Sequence, residues 1–285
     1  DKVYEIGNAG QLYWFAGLVN DTLSGVEQNV SANAVLTADI VANKNVLKSD
    51  GTLNEGTFKE WTPITGSSNS TYSGIFDGQN HTISGLYFNQ EDSYDVGLFG
   101  RNNGKIANAG ILDSYFYGTS KVGGVCGNNY TGTITNCYNT GSVSGLGTLG
   151  GVSGYNYTGS ITDCYNIGSV SGSEGDVGGV NGYNNGGTIT NCYNVGSVSG
   201  TDYYVGGVSG ENANGTITNC YYDSTIYTGT AIGANSSGTV TKVEGKTIDE
   251  FKTGEIAYLL SQGCTIDEVT YDGTIWGQTI GKDTY

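Results

Sequence analysis

One ten-residue phrase is repeated along the middle of the chain and constrains the fold more than any other feature. It reads NCYNTGSVSG at 136–145, DCYNIGSVSG at 163–172 and NCYNVGSVSG at 191–200. The cysteine of the phrase recurs at Cys137, Cys164, Cys192 and Cys220, which are 27, 28 and 28 positions apart. A fixed period in the range of roughly 20 to 50 residues is typical of solenoids, whose repeats pack on their neighbours.

Each repeat is built from short apolar pieces separated by turn residues. In the copy that begins at Val122, these pieces are VGGVCG, GTITNC and GSVSG. No piece is long enough for a helix, and glycine weakens one further. We therefore predict three strands per repeat and an all-β fold, a right-handed parallel β-helix with coils of about 28 residues stacked about 4.8 Å apart. A weaker copy from Val96 extends the series, and about eight coils would give a rod of about 40 Å.

The alternation of side chains along the phrase predicts which residues face the interior. With Val143 inward, Cys137 and Asn139 share its parity, whereas Tyr138 points outward. Ile134 breaks this parity, which predicts a turn at Asn136. Asparagine tolerates the left-handed conformation there and can form a hydrogen-bonded ladder with its equivalents in other coils, Asn191 and Asn219, with Asp163 in one coil.

A second recurrent motif, Gly-Gly-Val-x-Gly, begins at Gly123, Gly150, Gly178 and Gly206, with a Gly-Leu-Phe-Gly variant at 97–100. Together with the GTITNCYNTGSVSG type of phrase, it resembles the bacterial GLUG motif. FDGQNHTISGL from Phe76 and WGQTIGKDTY from Trp276 also resemble the ends of such proteins. The resemblance implies a bacterial, secreted or surface-displayed, adhesin-like β-helix, in a family without a common chemistry.

The two ends of the chain predict caps for the stack, because an open β-helix exposes unpaired strand edges. Near the N-terminus, Asn8 precedes a stretch with Leu12, Phe15, Ala16 and Val19 at helical spacing. Near the C-terminus, Thr247 and Glu250 form a capping-box pattern before Ile256, Leu259 and Leu260, with a stop at Gly263. We divide the chain into an N-terminal cap (1–32), a β-helix (33–243, with repeats strongest at 96–222) and a C-terminal capping segment (244–285). Residues 41–60 are predicted to form a polar excursion.

The charge of the chain limits its partners. It carries 11 Lys plus Arg against 27 Asp plus Glu, for a net charge of −16. Nucleic acids and anionic lipids require a basic footprint, so we expect neither as a partner. No run of 18 apolar residues occurs, which predicts no membrane insertion in this segment. Because the chain begins at Asp1 and contains no methionine, we expect it to be the mature part of a longer extracellular or cell-surface precursor.

Six cysteines in a chain of this kind raise the question of disulfides. Four of them stack in register, where parallel Cβ vectors keep the sulfur atoms poorly placed for a bond. We predict buried free thiols at these four positions. A metal ladder of thiolates is disfavoured because no histidine or carboxylate accompanies it, so no metal or other cofactor is expected. Cys126 and Cys264 lie outside the register, and nothing in the sequence pairs them.

Parallel β-helices include polysaccharide lyases and hydrolases, whose catalysis requires a basic residue or paired carboxylates. The only arginine is Arg101 and the only histidine is His81, and the sequence shows no evident partner for either. His81 and Asp77 are interpreted as turn residues of an early coil, and we predict no catalytic residue. Asp50, Asn54 and Glu55 match no calcium-loop spacing. A polysaccharide-active enzyme with its site around Asp77, His81 and Arg101 remains an alternative.

The candidate binding residues are a column of outward tyrosines, Tyr138, Tyr165, Tyr193 and Tyr221. Further tyrosines lie on neighbouring turns: Tyr155, Tyr157, Tyr183, Tyr203 and Tyr204. Such rings can stack on sugars or anchor a protein, so we predict a non-catalytic, monomeric module that displays a binding face for a glycan or a host or partner protein. Two alternatives remain open: the rings stack only to stabilise the sheet, or the chain is a passive spacer in a larger surface protein.

Overall fold

The computed structural model describes residues 2–66, 70–201 and 204–261, together with the backbone of 265–266 and 269–270. Tyr203, Cys264, Gly263 and the motif from Trp276 lie outside these residues. The chain forms a right-handed parallel β-helix of about eight coils, as the repeats predict. The number of strands per coil differs from the prediction: a full coil has five strands, of two to five residues each, rather than three. Left-handed turn residues such as Asn136 divide the predicted pieces.

The five strands of each coil stack on their equivalents to form five rows, numbered here in chain order. Row 1 holds β1 (Val3–Ile6), β2 (Asn33–Leu36), β4 (Ile75–Asp77), β9 (Lys105–Ala107), β14 (Thr133–Thr135), β19 (Ser160–Thr162) and β24 (Thr188–Thr190). Row 2 holds β3 (Ile40–Val41), β5 (Thr82–Ser84), β10 (Gly110–Leu112), β15 (Tyr138–Asn139), β20 (Tyr165–Asn166) and β25 (Tyr193–Asn194). The longer strands β29 (Thr216–Asp223) and β31 (Thr239–Lys246) pair with each other, and β29 continues both rows.

The other three rows complete the coil. Row 3 holds β6 (Tyr87–Asn89), β11 (Tyr115–Gly118), β16 (Ser142–Gly145), β21 (Val170–Gly172) and β26 (Val198–Gly200). Row 4 holds β7 (Tyr94–Val96), β12 (Ser120–Gly123), β17 (Leu149–Gly150), β22 (Val177–Gly178) and β27 (Val205–Gly206). Row 5 holds β8 (Phe99–Asn102), β13 (Cys126–Asn129), β18 (Ser153–Tyr157), β23 (Asn181–Asn185), β28 (Ser209–Ala213) and β30 (Ile232–Ser236). A separate antiparallel pair, β32 (Thr265–Ile266) and β33 (Val269–Thr270), follows the coils.

The interior is lined by apolar columns, one from each row that faces it. In row 1 the column is Ile106, Ile134, Ile161, Ile189 and Ile217, and all five side chains are fully buried. Burial of one such side chain contributes about 1.5 to 3 kcal/mol to stability. A column of phenylalanine and valine in row 3 and a column of valine and leucine in row 4 add to this apolar lining. The repeat of the sequence is therefore the repeat of one core layer.

Two asparagine ladders run through this interior, one in row 2 and one in row 5. The sequence pattern predicted that the asparagines of row 2 face inward, but it did not predict the ladder of row 5. In row 2, Asn139 donates to Asn166 at 3.0 Å and Asn166 to Asn194 at 2.8 Å. In row 5, a longer ladder links Asn102, Asn129, Asn156, Asn184, Asn212 and Asn235 through side-chain amide bonds of 2.8 to 3.0 Å. Because each amide also donates to a backbone carbonyl of its own turn, these buried polar groups are satisfied.

The predicted ladder at the turn is also present. Asn136, Asp163, Asn191 and Asn219 all have φ between 51° and 55°. The amide of Asn219 donates to Asn191 at 2.8 Å, and that of Asn191 donates to Asp163 at 3.2 Å. The left-handed turn predicted from the parity break is therefore confirmed.

Four in-register cysteines are buried free thiols, as predicted: Cys137, Cys164, Cys192 and Cys220. Each sulfur lies 3.2 to 3.3 Å from the carbonyl oxygen two residues before it. Burial raises the pKa of Cys137, Cys164 and Cys192 well above the ordinary thiol value. Cys126 is also a buried free thiol. A protonated, enclosed thiol reacts slowly with electrophiles.

The N-terminal end is covered by the predicted helix. Helix α1 (Ala9–Val19) begins after Asn8, whose side chain accepts a hydrogen bond from the backbone of Gln11. The four residues predicted at helical spacing are buried, and the Phe15 ring packs on Phe76 of row 1 at 6.2 Å. The helix therefore closes the first coils of the interior. No helix among the described residues is long and apolar enough to cross a membrane.

The polar excursion is an insertion in the second coil, between rows 2 and 3. It leaves after β3 and returns at Trp61, whose backbone nitrogen donates to Tyr87 of row 3. The Asp113 carboxylate anchors it by accepting bonds from the backbone of Val46 and Leu47 at 3.2 and 2.8 Å. Beyond it, Ile64 and Tyr72 form isolated parallel bridges with Phe99 and Asn102 of row 5.

The long asparagine ladder predicts a specific loss of stability. We expect Asn156→Ala to lower the free energy of unfolding by about 2 to 3 kcal/mol, because the Asn184 side-chain oxygen and the Gly159 carbonyl lose a donor in a dry interior. Urea denaturation followed by circular dichroism measures this change. Asn103→Ala, at an exposed asparagine, is the control and is expected to change little. Equal effects of the two substitutions would contradict the role of the ladder.

The five buried thiols predict that cysteine reacts much more slowly with a thiol reagent in the folded chain than in the unfolded chain. In a Cys264→Ser background, we expect the five remaining thiols to be unreactive toward an aromatic disulfide reagent until denaturant is added. Absorbance of the released thiolate measures the count. Fewer than five reactive thiols after unfolding without a reductant would indicate a disulfide and contradict the structure.

Candidate functional site

The predicted tyrosine column exists and lies along row 2. Tyr138, Tyr165, Tyr193 and Tyr221 are register partners in four successive coils. The ring centroids of Tyr138 and Tyr165 are 4.8 Å apart, those of Tyr165 and Tyr193 are 4.9 Å apart, and each pair of rings is parallel within 1°. The outward orientation predicted from parity is therefore correct. Because each ring face lies against the next ring, a ligand would meet mainly ring edges and hydroxyl groups.

Half of this column is not open to solvent. Tyr138 and Tyr165 are partly buried, whereas Tyr193 and Tyr221 are only 8% and 3% exposed. At the other end, the Tyr138 ring occupies the space that a side chain at Gly110 would fill. The expectation of four accessible rings is wrong for Tyr193 and Tyr221.

The residues that cover them belong to the C-terminal helices. Helix α2 (Ile248–Lys252) begins at Thr247 with the predicted capping box to Glu250, and α3 (Glu255–Ser261) follows after a left-handed Gly254. Phe251, Ile256 and Leu260 form one apolar cluster with Tyr193 and Tyr221. The helices form as predicted, but they pack on the lateral face of row 2. The reason is that the apolar face of the helices finds its complement in the outward tyrosines.

Burial raises the pKa of three of the four column tyrosines. Desolvation raises the pKa of Tyr138 and Tyr165 above the ordinary phenol value, and it raises that of Tyr221 to about 12. The Tyr221 hydroxyl donates to the Asn219 side chain at 2.8 Å. These hydroxyls are therefore donors rather than bases at neutral pH.

The candidate catalytic residues are not brought together. His81 lies beside row 2 with Nδ1 3.3 Å from Asp39, and Asp77 accepts bonds from the backbone of Gln79 and the side chain of Asn108. Arg101 lies in row 5, and its Nε is 2.7 Å from an Asp95 oxygen. Arg101 and His81 thus each have a carboxylate neighbour that is not evident in the sequence, because the coils place residues close together that are distant in sequence, such as Asp39 and His81. Each of these side chains is therefore held by neighbours within its own part of the coil.

Within the described ranges, no group of three metal-ligating side chains comes together. Of the residues weighed for calcium, Asp50 accepts bonds from the backbone and hydroxyl of Thr52, which makes it a turn residue.

Sequence reasoning missed two adjacent cavities on the lateral surface, and Arg101 lines both. The larger, of about 540 Å³, is lined by Glu60, Trp61, Thr62, Pro63, Gly66, Phe88, Gln90, Asp92, Ser93, Tyr94, Asp95 and Arg101. The smaller, of about 400 Å³, is lined by Thr71, Arg101, Lys121, Asn128, Tyr130, Tyr155 and Tyr157. The available signal was that Arg101, Asn128 and Tyr155 are each 27 positions apart, which places them on one row.

Comparison with known proteins supports the motif and the fold. The model of the GLUG motif matches residues 118–144, which span one coil from the end of β11 into β16. A solved structure of a candidate immunoglobulin A1 protease from Bacteroides ovatus is similar, with a TM-score of 0.65, 23% sequence identity, and coverage of 92% of this chain and 87% of that one. No curated protein sequence matches this chain. The GLUG resemblance is confirmed at this coil, and the structural likeness shows the fold alone.

The raised pKa of Tyr221 predicts destabilisation in alkaline solution. An unfolded tyrosine titrates near pH 10, so above that pH the unfolded chain releases protons first and stability falls until the folded group titrates at about 12. The contribution is fully present below pH 10. We expect Tyr221→Phe to reduce the fall between about pH 10 and pH 12 by roughly 2 kcal/mol. Urea denaturation across this pH range measures it, with Tyr258→Phe, at an exposed residue of α3, as the control.

Proposed function

We propose that this chain is a non-catalytic, monomeric binding module of a surface-displayed or secreted bacterial protein. The GLUG motif and the likeness to a β-helical Bacteroides ovatus protein support a surface or secreted module. The binding face is the open part of the tyrosine column, Tyr138 and Tyr165, and its ligand is a glycan or a host or partner protein. The protease activity in the name of the structural neighbour is not transferred, because the likeness extends to the fold only.

The observation that carries the proposal is the fixed geometry of the two open rings. The Tyr138 and Tyr165 rings lie 4.8 Å apart on a hydrogen-bonded lattice and do not need to be ordered when a ligand binds. Tyrosine also provides apolar area and a hydroxyl with few rotatable bonds. Ring edges and hydroxyls of this kind can accept contacts from either class of ligand.

The proposal predicts a binding loss on changing both open tyrosines. We expect the native chain to bind a defined glycan or matrix protein in an array screen, and the double variant Tyr138→Ser, Tyr165→Ser to bind it at least tenfold more weakly. Tyr193 and Tyr221 are left unchanged, because the C-terminal helices pack on them. Thermal denaturation checks that the variant is folded.

Tyr258→Ser is the matched control, because this tyrosine is 62% exposed on α3 and lies outside the column. If the double variant binds as well as the native chain, the column is not the binding face and its rings only stabilise the sheet. If the native chain binds nothing in the screen, the passive-spacer alternative is favoured.

A further inference from the structure

The smaller of the two cavities lies at the junction of rows 4 and 5 and is separate from the tyrosine column of row 2. Its volume of about 400 Å³ is within the range of small-molecule sites. Row 5 places Arg101, Asn128 and Tyr155 as register partners in three successive coils, and Lys121 comes from row 4. The site is therefore built on strands that the solenoid holds in place.

Three tyrosines form an aromatic wall. The Tyr130 and Tyr157 rings are stacked with centroids 4.9 Å apart, and Tyr155 lies nearly parallel to Tyr157 at 6.2 Å. Tyr130 is 46% exposed. Because Tyr130 and Tyr157 cover one face of each other, a sugar ring meets an outer ring face of this wall together with ring edges, while the hydroxyls bond its polar groups.

The charge of this cavity is opposite to that of the chain as a whole. Its charged lining residues are Lys121 and Arg101, and no carboxylate lines it among the described residues. The Lys121 ammonium lies 5.2 Å from the centroid of the Tyr155 ring. Arg101 pairs with Asp95 through Nε, which leaves the two Nη groups as donors. Because the Asp95 carboxylate compensates the Arg101 charge, the excess positive charge at this cavity comes from Lys121. In a chain of net charge −16, Lys121 and the Nη donors of Arg101 favour an anionic group of a ligand.

A buried amide adds a polar contact that the protein itself leaves unused. Asn128 lines the cavity and is 4% exposed, and its shielded Oδ1 has no hydrogen-bond partner among the described residues. An unpaired buried carbonyl oxygen is costly, and a ligand donor removes this cost once the Asn128 side chain turns its oxygen toward the cavity. Sugar hydroxyls are such donors.

We propose that this cavity binds a saccharide that carries a carboxylate. The sugar ring stacks on the Tyr130, Tyr155 and Tyr157 wall, the carboxylate accepts bonds from Lys121 and Arg101, and a hydroxyl donates to Asn128. Hexuronates and sialic acids share this chemistry. The site lies beyond the tyrosine column and does not depend on binding there.

The test is titration calorimetry of the full chain with four probes: tri-galacturonate, 3′-sialyllactose, and the neutral sugars maltotriose and lactose. We expect one of the two acidic probes to bind at least tenfold more tightly than its neutral counterpart, with an affinity that falls as salt is added. Binding by the hexuronate or by the sialoside identifies the source of the carboxylate. Equal binding of acidic and neutral probes, or no binding of either acidic probe at millimolar concentration, overturns the proposal.

Two variants assign the binding to the cavity. Lys121→Gln is expected to lower the affinity for the acidic probe about tenfold, because it removes a charge-assisted hydrogen bond. Tyr155→Ser is expected to lower the same affinity, because it removes an aromatic ring from the wall. Lys105→Gln, at an exposed lysine of row 1, is the matched control and is expected to change nothing. A Lys121→Gln chain that binds like the native one overturns the proposal.

The column variant keeps this site distinct from the proposed function. The double variant Tyr138→Ser, Tyr165→Ser is expected to bind the acidic probe as the native chain does, since its changes lie in row 2. Loss of acidic-probe binding in that variant but not in Lys121→Gln would place the saccharide on the column and overturn the cavity assignment. Circular dichroism confirms the fold of each variant.

Discussion

The structure depends on buried asparagine side chains that bond from coil to coil, and on the glycines that make room for them. A side chain at Gly124, Gly151 or Gly179 would overlap Asn139, Asn166 or Asn194 across the interior, and one at Gly159 or Gly187 would overlap Asn129 or Asn156. The Gly-Gly-Val motif and the Cys-Tyr-Asn phrase are thus two sides of one contact. An amide in a dry interior must be bonded, and Asn139 and Asn166 each donate both to the next coil and to their own turn, so one coil register satisfies both of them. Apolar columns alone would tolerate slippage far better.

Because the coils stack in one register, outward side chains repeat as regularly as inward ones. This regular outward column explains why half of its tyrosines are covered by other residues. Four outward rings at equal spacing form a continuous apolar strip, and covering such a strip is energetically favourable. Stacking buries part of each ring face against the next ring, and α2 and α3 cover Tyr193 and Tyr221 from outside. The covering helices are held by more than apolar contact: Lys246 lies 3.5 Å from Glu250 of α2 and 3.6 Å from Glu255 of α3. Tyr138 and Tyr165 remain as the open end of a partly covered strip.

Much of this fold could be predicted from the sequence because the repeat carries it: the parallel coils, the inward cysteines, the left-handed turn at Asn136 and both sets of cap signals follow from spacing and parity. The number of strands per coil could not, since the segments between left-handed turns are too short to show a period. The side-chain contacts of the candidate site could be predicted even less well from the sequence. Asp39 and His81 are 42 residues apart, and Arg101 and Asp95 lie in different rows. Parity assigns a side chain to the outside of a coil, but it does not show what another segment, such as the helices after Thr247, places above it.

The departures from the repeat are where specific recognition can arise. Along the outward column of row 5, the equivalent positions are Arg101, Asn128, Tyr155, Tyr183 and Glu211, and no two neighbouring residue types are alike except the tyrosines. The neighbouring inward column of the same strands is asparagine throughout. On each row 5 strand, the inward position must therefore be asparagine in every coil, whereas the adjacent outward position can hold different residue types. The cations and the aromatic wall of the smaller cavity lie on that free side, so their chemistry can change without cost to the ladder, as expected of a scaffold that carries a binding site.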